Sequence, residues 1–269
     1  MKTFGKVLQK YIKRWEFVLF LILVAEFVIF GSVNFSKFMR IGSIFSSINN
    51  YISICIISLF VTFVMITGGI DIQASSIVGL TSIVIGVLWS DAGLDIWLAV
   101  AIATVTAGLC GMLSGFFVAY CGVQPMVVTL GGSFLYSGIA LLVSGLSKTP
   151  AYQGISGLPG KNELGEFVSF RALGKTMLFD IIPIQLIIYV ALIVICYFLL
   201  HKSKYGRKVF LVGVNQNAAE FSGINSRRII MSTYILTGIS AAIAGILLTA
   251  NVDSAKYNLG STFTLSIIT

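Results

Sequence analysis

The sequence has 269 residues and is 57% hydrophobic and only 10% charged, with a formal net charge of +8. Soluble proteins carry about 25% charged residues, so this composition excludes an ordinary soluble domain and predicts that lipid surrounds most of the surface. The Lys and Arg residues cluster beside long apolar segments, at residues 2–14 and 202–228. This pattern is typical of the cytoplasmic segments of membrane proteins, and it argues against nucleic acid as a partner.

Seven apolar segments are long enough to cross a bilayer, because a spanning helix takes about 20 residues. An eighth begins near Phe263 and is cut off by the chain end at Thr269. The predicted fold class is all-α, a polytopic transmembrane helical bundle that occupies residues 1–269 as a single domain. The predicted spans are, in order, residues 15–34, 44–67, 72–90, 95–120, 125–146, 181–200 and 229–250.

The charge distribution predicts on which side each connection lies. If the basic N-terminus is cytoplasmic, six crossings return the chain to the cytoplasm at residues 202–228, which contain six of the 18 Lys and Arg residues. This agrees with the positive-inside rule. The connection at residues 147–180 then lies outside, and its mixed charge, Pro and Gly predict an exposed, partly ordered loop.

The sequence Gly68-Gly69-Ile70-Asp71 separates the second span from the third. A carboxylate at bilayer depth costs about 2.5–3.5 kcal/mol on insertion scales, so Asp71 has to be paired, hydrated or engaged in capping. Two glycines followed by Asp and a new apolar segment predict a break and then a helix N-cap at Asp71. The alternative is a direct role of this carboxylate in a transport path.

Small residues recur every four positions in the fourth span, at Ala103, Ala107, Gly111 and Gly115. In a helix this spacing places them on one stripe, where a second helix can approach closely. The stripe predicts a tightly packed bundle and carries no information about a substrate.

Between the sixth and seventh spans the sequence predicts a helix of about two turns. Asn215 is a good N-cap and Gly223 a good C-terminal stop, and Ala218 and Phe221 share a face. A helix this short is marginal alone in water, so it needs a surface to pack on. That surface is either its own bundle or a partner protein.

Groups that would carry catalysis or hold a metal are sparse. His201 is the only histidine, and the four cysteines lie in or beside apolar segments without ligand spacing. The sequence also lacks a phosphate-binding Gly-x-x-x-x-Gly-Lys-Ser/Thr motif. It therefore predicts no enzyme, no metal site and no ATP hydrolysis by the chain itself.

Residues 203–224 resemble the signature segment of ABC sugar-importer permeases of the ribose, xylose and galactose type. There a Gly-Arg, an Asn and an Ala-Ala-x-x-Ser-Gly-Ile follow in this order, as they do here from Gly206 onward. Residues 68–71, 123–132 and 255–261 agree with the same family. The resemblance implies that residues 202–228 form a cytoplasmic coupling loop whose ATPase-coupling residues are Asn215, Gln216, Asn217, Ala218, Ala219, Glu220, Phe221, Ser222, Gly223 and Ile224.

The resemblance also implies function and partners. The chain would be the permease subunit of an importer for a monosaccharide or a sugar-like solute such as autoinducer-2, in the bacterial cytoplasmic membrane. Its partners would be an ABC ATPase subunit, which hydrolyses the ATP, an extracytoplasmic solute-binding protein, and a second permease copy or paralogue in a dimer. No cofactor would be bound by the chain itself. Family members usually continue past the Leu-Gly-Ser at residues 259–261 with two more membrane segments, so a C-terminally truncated permease domain is expected.

Two other functions remain open at this point, an ABC permease for branched-chain amino acids or nucleosides and an ion-coupled secondary transporter. Irregular backbone at membrane depth is tolerated only beside a cavity or protein. Polar and glycine residues that flank the breaks are therefore expected to line the translocation path, and these are Gly68, Gly69, Asp71, Ser75, Gln124, Thr129 and Ser133.

Overall fold

The computed structural model describes residues 15–33, 41–159, 170–178 and 182–268. The basic residues at 2–14, the acidic Glu163 and Glu166, and Thr269 lie outside this described part. The chain divides into two compact units, residues 1–47 and 48–269. The helices are α1 (Trp15–Val33), α2 (Ile41–Ile66), α3 (Ala74–Ser90), α4 (Ile96–Ala119), α5 (Pro125–Leu146), α6 (Ala172–Lys175), α7 (Ile184–Tyr197), α8 (Lys204–Val214), α9 (Gln216–Phe221), α10 (Ser226–Val252) and α11 (Thr264–Ile268).

Each of the seven predicted spans is a helix in the described residues, so the all-α membrane bundle is confirmed. Among the described residues, five apolar helical segments are long enough to cross a membrane, and two further apolar helical segments are shorter. The two shorter ones are Phe17–Ser32 and Ala74–Ser90, and the latter reaches only about 26 Å at 1.5 Å per residue. The five long segments are Ser47–Ile66, Ile96–Ala119, Pro125–Leu146, Ile184–Lys202 and Ser226–Val252.

Helix α3 lies at the centre of the second unit. Its side chains are buried on all sides, with Ile77 1%, Val78 0% and Ile85 0% exposed. A helix that is apolar all round suits such a central position. The outer helices differ, because α4, α5 and α7 turn large apolar side chains such as Phe134 outward. An apolar outer surface of this kind is what a bilayer requires.

Helices α4 and α10 make an extensive contact within the described residues. A Cβ atom added at Gly111 would overlap the carbonyl oxygen of Tyr234, and one added at Gly238 would overlap that of Ala107. The main chains of α4 and α10 are therefore in direct contact at both of these glycines. This confirms the close approach predicted from the stripe of small residues on α4.

The described residues contain four strands, each two residues long, at one end of the bundle opposite α9. β1 (Ile155–Ser156) pairs with β4 (Ser254–Ala255), and β2 (Met177–Leu178) pairs with β3 (Ile182–Pro183). After β4 the chain turns back along α3, where Thr264 Oγ1 lies 2.7 Å from Ser75 Oγ. The eighth predicted segment therefore begins with a 3₁₀ turn (Ser261–Phe263) followed by α11.

One ion pair holds the loop beside β2 against the end of α10. Arg171 donates to both carboxylate oxygens of Asp253, the residue at which α10 ends. Asp253 has a φ of +58°, a left-handed conformation that Asp and Asn adopt more easily than other side chains. The pair is largely buried, with side-chain exposures of 13% and 23%.

Asp253→Asn should therefore remove the charge and keep the turn. We expect the free energy of unfolding to fall by about 1–2 kcal/mol, because hydrogen bonds to charged groups contribute more than neutral ones and the remaining exposure weakens them. Unfolding of the purified protein in detergent, followed by circular dichroism, measures this change. Arg171→Gln should give the same loss and the double variant no more. Additive losses would contradict the account.

Candidate functional site

The break before α3 is present, but the predicted N-cap position is wrong. Helix α3 begins at Ala74, its N-cap residue is Gln73, and the Gln73 side chain makes no capping hydrogen bond. Asp71 lies two residues before the cap, and its Oδ1 accepts the main-chain N–H of Gln73 at 3.1 Å. The carboxylate thus closes a turn in front of the helix rather than capping it, a bonding pattern typical of Asx turns.

Asp71 is 1% exposed and sits where three helices meet. The preceding Ile70 carbonyl accepts a hydrogen bond from the Thr129 hydroxyl of α5 at 3.1 Å. The break also lies against α10, because a Cβ added at Gly69 would overlap the Tyr234 hydroxyl oxygen. The break therefore contacts both α5 and α10.

A buried polar chain continues from the break into the bundle. Gln73 Oε1 accepts the Ser114 hydroxyl at 2.6 Å, and Ser114 Oγ lies 3.1 Å from Tyr136 Oη. Tyr136 in turn donates to the Cys110 carbonyl at 2.8 Å. Gly132 makes this possible, because a Cβ there would lie in steric overlap with Gln73 Oε1.

A cavity of about 420 Å³ lies between α3, α5 and the chain after β4. Hydroxyl groups dominate its polar lining. Ser76 Oγ lies 2.8 Å from Ser133 Oγ and 3.0 Å from Ser137 Oγ. No charged side chain is among the described residues that line it, which are Ser75, Ser76, Ser133, Phe134, Ser137, Gly138, Leu141, Tyr257, Asn258, Leu259, Ser261 and Thr264.

A second cavity, of about 510 Å³, opens at the α9 end of the bundle. It joins the break, the α4–α5 turn and the start of α10. Its described lining includes Gly68 and Gly69 from the break, Gln124 from the turn, and Gln216 and Arg227 from the segment around α9.

The short helix α9 forms as predicted. Asn215 Oδ1 accepts the N–H of Ala218 at 3.0 Å, and the helix ends before Gly223, which has a φ of +77°. Ala219 is 3% exposed and packs in an apolar cluster of the bundle, whereas Phe221 is 94% exposed. The sequence leaves two surfaces on which α9 could pack, its own bundle or a partner protein. In the structure α9 packs on the bundle, and Phe221 takes no part in that packing.

The preceding helix α8 contacts α9 and is also bonded to α10. Tyr205 Oη lies 2.7 Å from Ser232 Oγ, and burial raises the pKa of the Tyr205 phenol above its usual value. Val214, at the end of α8, is 86% exposed. Exposed Val214 and Phe221 thus stand on a segment whose two helices are both held by the bundle.

The predicted path residues do not form one cluster. Ser75 and Ser133 line the hydroxyl cavity, and Gly68, Gly69 and Gln124 line the cavity at the α9 end. Asp71 and Thr129 are fully buried near the break. The sequence prediction missed Ser76 and Ser137, although Ser133 and Ser137 are four residues apart and therefore share a helix face.

Within the described part of the chain, no three His, Cys, Asp or Glu side chains are grouped closely enough to hold a metal ion. The described cysteines are Cys55, Cys110, Cys121 and Cys196, and none of these four forms a disulfide. The polar groups available at the two cavities are therefore hydroxyls, amides and Arg227.

Comparison with known proteins gives a consistent result. A family model described as a branched-chain amino acid transport system / permease component matches residues 43–269. The autoinducer 2 import system permease protein LsrD of Yersinia enterocolitica is 36% identical over 255 residues, covering 95% of this chain and 74% of the relative. The protein of the same name from Photorhabdus luminescens is 34% identical, covering 95% of this chain and 73% of the relative. No solved structure matches the chain.

The family match extends over more than half of the chain, and it includes the break, both cavities and α9. The similar permease proteins cover nearly all of the chain at more than 30% identity. The apolar helices add that this is a multi-pass membrane protein. The chain therefore belongs to this family of transport-system permeases, and the resemblance to ABC sugar-importer permeases drawn from its motifs is confirmed.

Proposed function

We propose that this chain is the membrane-spanning permease subunit of an ABC importer for a monosaccharide or a sugar-like solute. The observation that carries the proposal is the hydroxyl-lined cavity between α3 and α5. Ser and Thr hydroxyls both donate and accept hydrogen bonds, which is what a solute with many hydroxyl groups requires. The autoinducer 2 import permeases among the similar proteins support a solute of this class.

A branched-chain amino acid is the alternative that the family description suggests. Its ammonium and carboxylate groups would need charged or strongly polar partners on leaving water. The described lining of the hydroxyl cavity contains no charged side chain, which favours a neutral solute. If leucine competes with the transported solute for uptake and a monosaccharide does not, the branched-chain amino acid alternative is favoured.

The segment around α9 is the proposed ATPase contact. Residues 202–228 would form the cytoplasmic coupling loop, and Asn215 to Ile224 would enter the ATPase subunit. Phe221 at 94% exposure and Val214 at 86% support this assignment, because large apolar side chains so exposed are typical anchors for a partner. ATP would then be hydrolysed by the ATPase subunit, and the chain would need no cofactor of its own.

The remaining partners follow from this assignment. A second permease copy or a paralogue would form the dimer, and an extracytoplasmic solute-binding protein would dock at the β1–β4 end. The N-terminus would be cytoplasmic, as the positive-inside rule and six crossings require. In this arrangement residues 1–269 act as one permease domain in the bacterial cytoplasmic membrane.

Removing hydroxyls from the cavity tests the proposed solute class. The double variant Ser133→Ala and Ser137→Ala should lower the maximal uptake rate of a sugar-like solute at least about fivefold, since each of the two hydrogen bonds contributes about 0.5–1.5 kcal/mol. Uptake into vesicles that contain the assembled importer measures this rate. Thr106→Val is the matched control, because its exposed hydroxyl bonds only within its own helix, to Ile102 at 2.9 Å. An equal loss in the control would contradict a special role of the cavity.

A further inference from the structure

Tyr234 lies where the packing of α9 meets the break before α3. Its side chain is 0% exposed and belongs to one apolar cluster with Val64 of α2, Val212 of α8 and Ala219 of α9. It also lines the cavity at the α9 end. A displacement of α9 therefore reaches Tyr234 through continuous side-chain packing.

The phenol of Tyr234 extends to the glycines of the break. A Cβ added at Gly69 would lie 2.6 Å from the Tyr234 hydroxyl oxygen and 2.8 Å from Val64 Cγ1. The absence of a side chain at Gly69 is what leaves room for the phenol. Although it is buried, the Tyr234 hydroxyl has no hydrogen-bond partner among the described residues.

Asp71, within the break, supplies the complementary group. Its Oδ1 is bonded to the N–H of Gln73, whereas its buried Oδ2 has no hydrogen-bond partner among the described residues. Asp71 lies two residues after Gly69, the glycine that the Tyr234 hydroxyl approaches. A buried donor and a buried acceptor, each without a partner among the described residues, thus belong to the same break.

We propose that Tyr234 is a positioning residue whose hydroxyl donates to Asp71 Oδ2 in one state of the transport cycle. We call this hydrogen bond the Tyr234–Asp71 latch. Movement of α9 makes or breaks the latch, and the latch sets the position of the break from which α3 and its Ser75 and Ser76 hydroxyls begin. A two-state contact of this kind is how a small displacement at one site becomes a discrete change at another. The role in transport rests on the proposed function, because an ATPase subunit supplies the movement of α9.

Tyr234→Phe removes the hydroxyl and keeps the ring that packs with Ala219. In the assembled importer, the number of solute molecules moved per ATP hydrolysed should fall about tenfold or more, while binding of the ATPase subunit stays within twofold. Tyr189→Phe is the matched control, since it removes the phenol hydroxyl of a half-buried tyrosine of α7 that lies outside both the latch and residues 202–228. A Tyr234→Phe ratio equal to that of the unaltered chain would overturn the proposal.

A double-variant comparison separates the latch from two independent effects. Asp71→Asn retains an oxygen for the Gln73 N–H and loses the charge that strengthens the bond to Tyr234. If the two groups act on each other, Asp71→Asn combined with Tyr234→Phe should lower the transport-to-ATP ratio no further than the more severe single variant. Losses that multiply would show that the groups act separately and would overturn the latch.

A second measurement does not depend on the ATPase. Without the ATPase, the chain still exchanges between the states in which the latch is made and broken. In the purified chain, Tyr234→Phe should therefore raise amide hydrogen exchange several-fold in residues 67–73, which the latch holds when it is made, and Tyr189→Phe should not. If the chain binds no ATPase yet shows this difference, the proposed function fails and the latch stands. If exchange in residues 67–73 is unchanged, the latch is wrong whatever the outcome for the ATPase.

Discussion

Phe221→Asp should weaken binding of the ATPase subunit at least about 30-fold and leave the helical bundle folded. Phe221 is 94% exposed, so its replacement removes almost no packing within the chain. Large aromatic side chains at the centre of an interface commonly contribute more than about 2 kcal/mol, and each 1.4 kcal/mol is a factor of ten. A carboxylate buried in an apolar partner groove adds the cost of an unpaired charge.

Co-purification of the ATPase subunit from membranes measures this binding. Tyr152→Asp is the matched control, because Tyr152 is an aromatic residue 80% exposed at the opposite end of the bundle. The control should retain the ATPase, and Phe221→Asp should lose it. Retention by both variants would show that α9 is not the docking element.

Gly111→Ala should be among the most destabilising single-methyl additions in the bundle. The added Cβ would overlap the Tyr234 carbonyl oxygen, and neither backbone can yield without separating α4 from α10. Overpacking of this kind costs about 1–3 kcal/mol and more where the obstacle is main chain. We therefore expect a clear loss of thermal stability and of correctly assembled protein.

Gly108→Ala offers a matched comparison one turn away on the same helix. The nearest atom to a Cβ there is Ile239 Cγ1 at 3.6 Å, an ordinary contact. The free energy of unfolding should change by less than about 1 kcal/mol, because alanine also forms helix more readily than glycine. Thermal unfolding in detergent distinguishes the two variants, and equal midpoints would refute the close α4–α10 crossing.

The spanning helices and the short helix α9 could be predicted from sequence because both depend on local properties. Apolar length gives the spans, and the cap at Asn215 with a left-handed Gly223 gives α9. The buried face of α9 is not predicted by the sequence. The pattern places Ala218 and Phe221 on one face, whereas Ala219 is the residue that packs on the bundle.

The exact geometry of the break before α3 cannot be predicted from local sequence. Glycines and a carboxylate indicate an interruption, but the residue that starts α3 depends on the packing of Gln73 against Ser114 and Gly132, which belong to other helices. The cavities depend on tertiary structure in the same way. Ser75 and Gln124 look alike in sequence as polar residues beside breaks, yet they line different cavities.

Tyr234 carries no sequence signal of its own. It is one aromatic residue in an apolar span, and its contacts with Gly69 of the break and with the cluster that contains Ala219 of α9 arise only in the folded chain. The Arg171–Asp253 pair is similar, since its members are 82 residues apart in sequence. Contacts of this kind become visible only when the helices are assembled.

The energy source of solute uptake tests the central claim most directly. Uptake of a labelled sugar-like solute should be measured in cells that carry the chain with its ATPase subunit, once after ATP depletion and once after an ionophore collapses the ion gradients. An ABC permease predicts that ATP depletion abolishes uptake and that the ionophore, at constant ATP, does not. Uptake that survives ATP depletion and stops with the ionophore would identify an ion-coupled transporter and contradict the account.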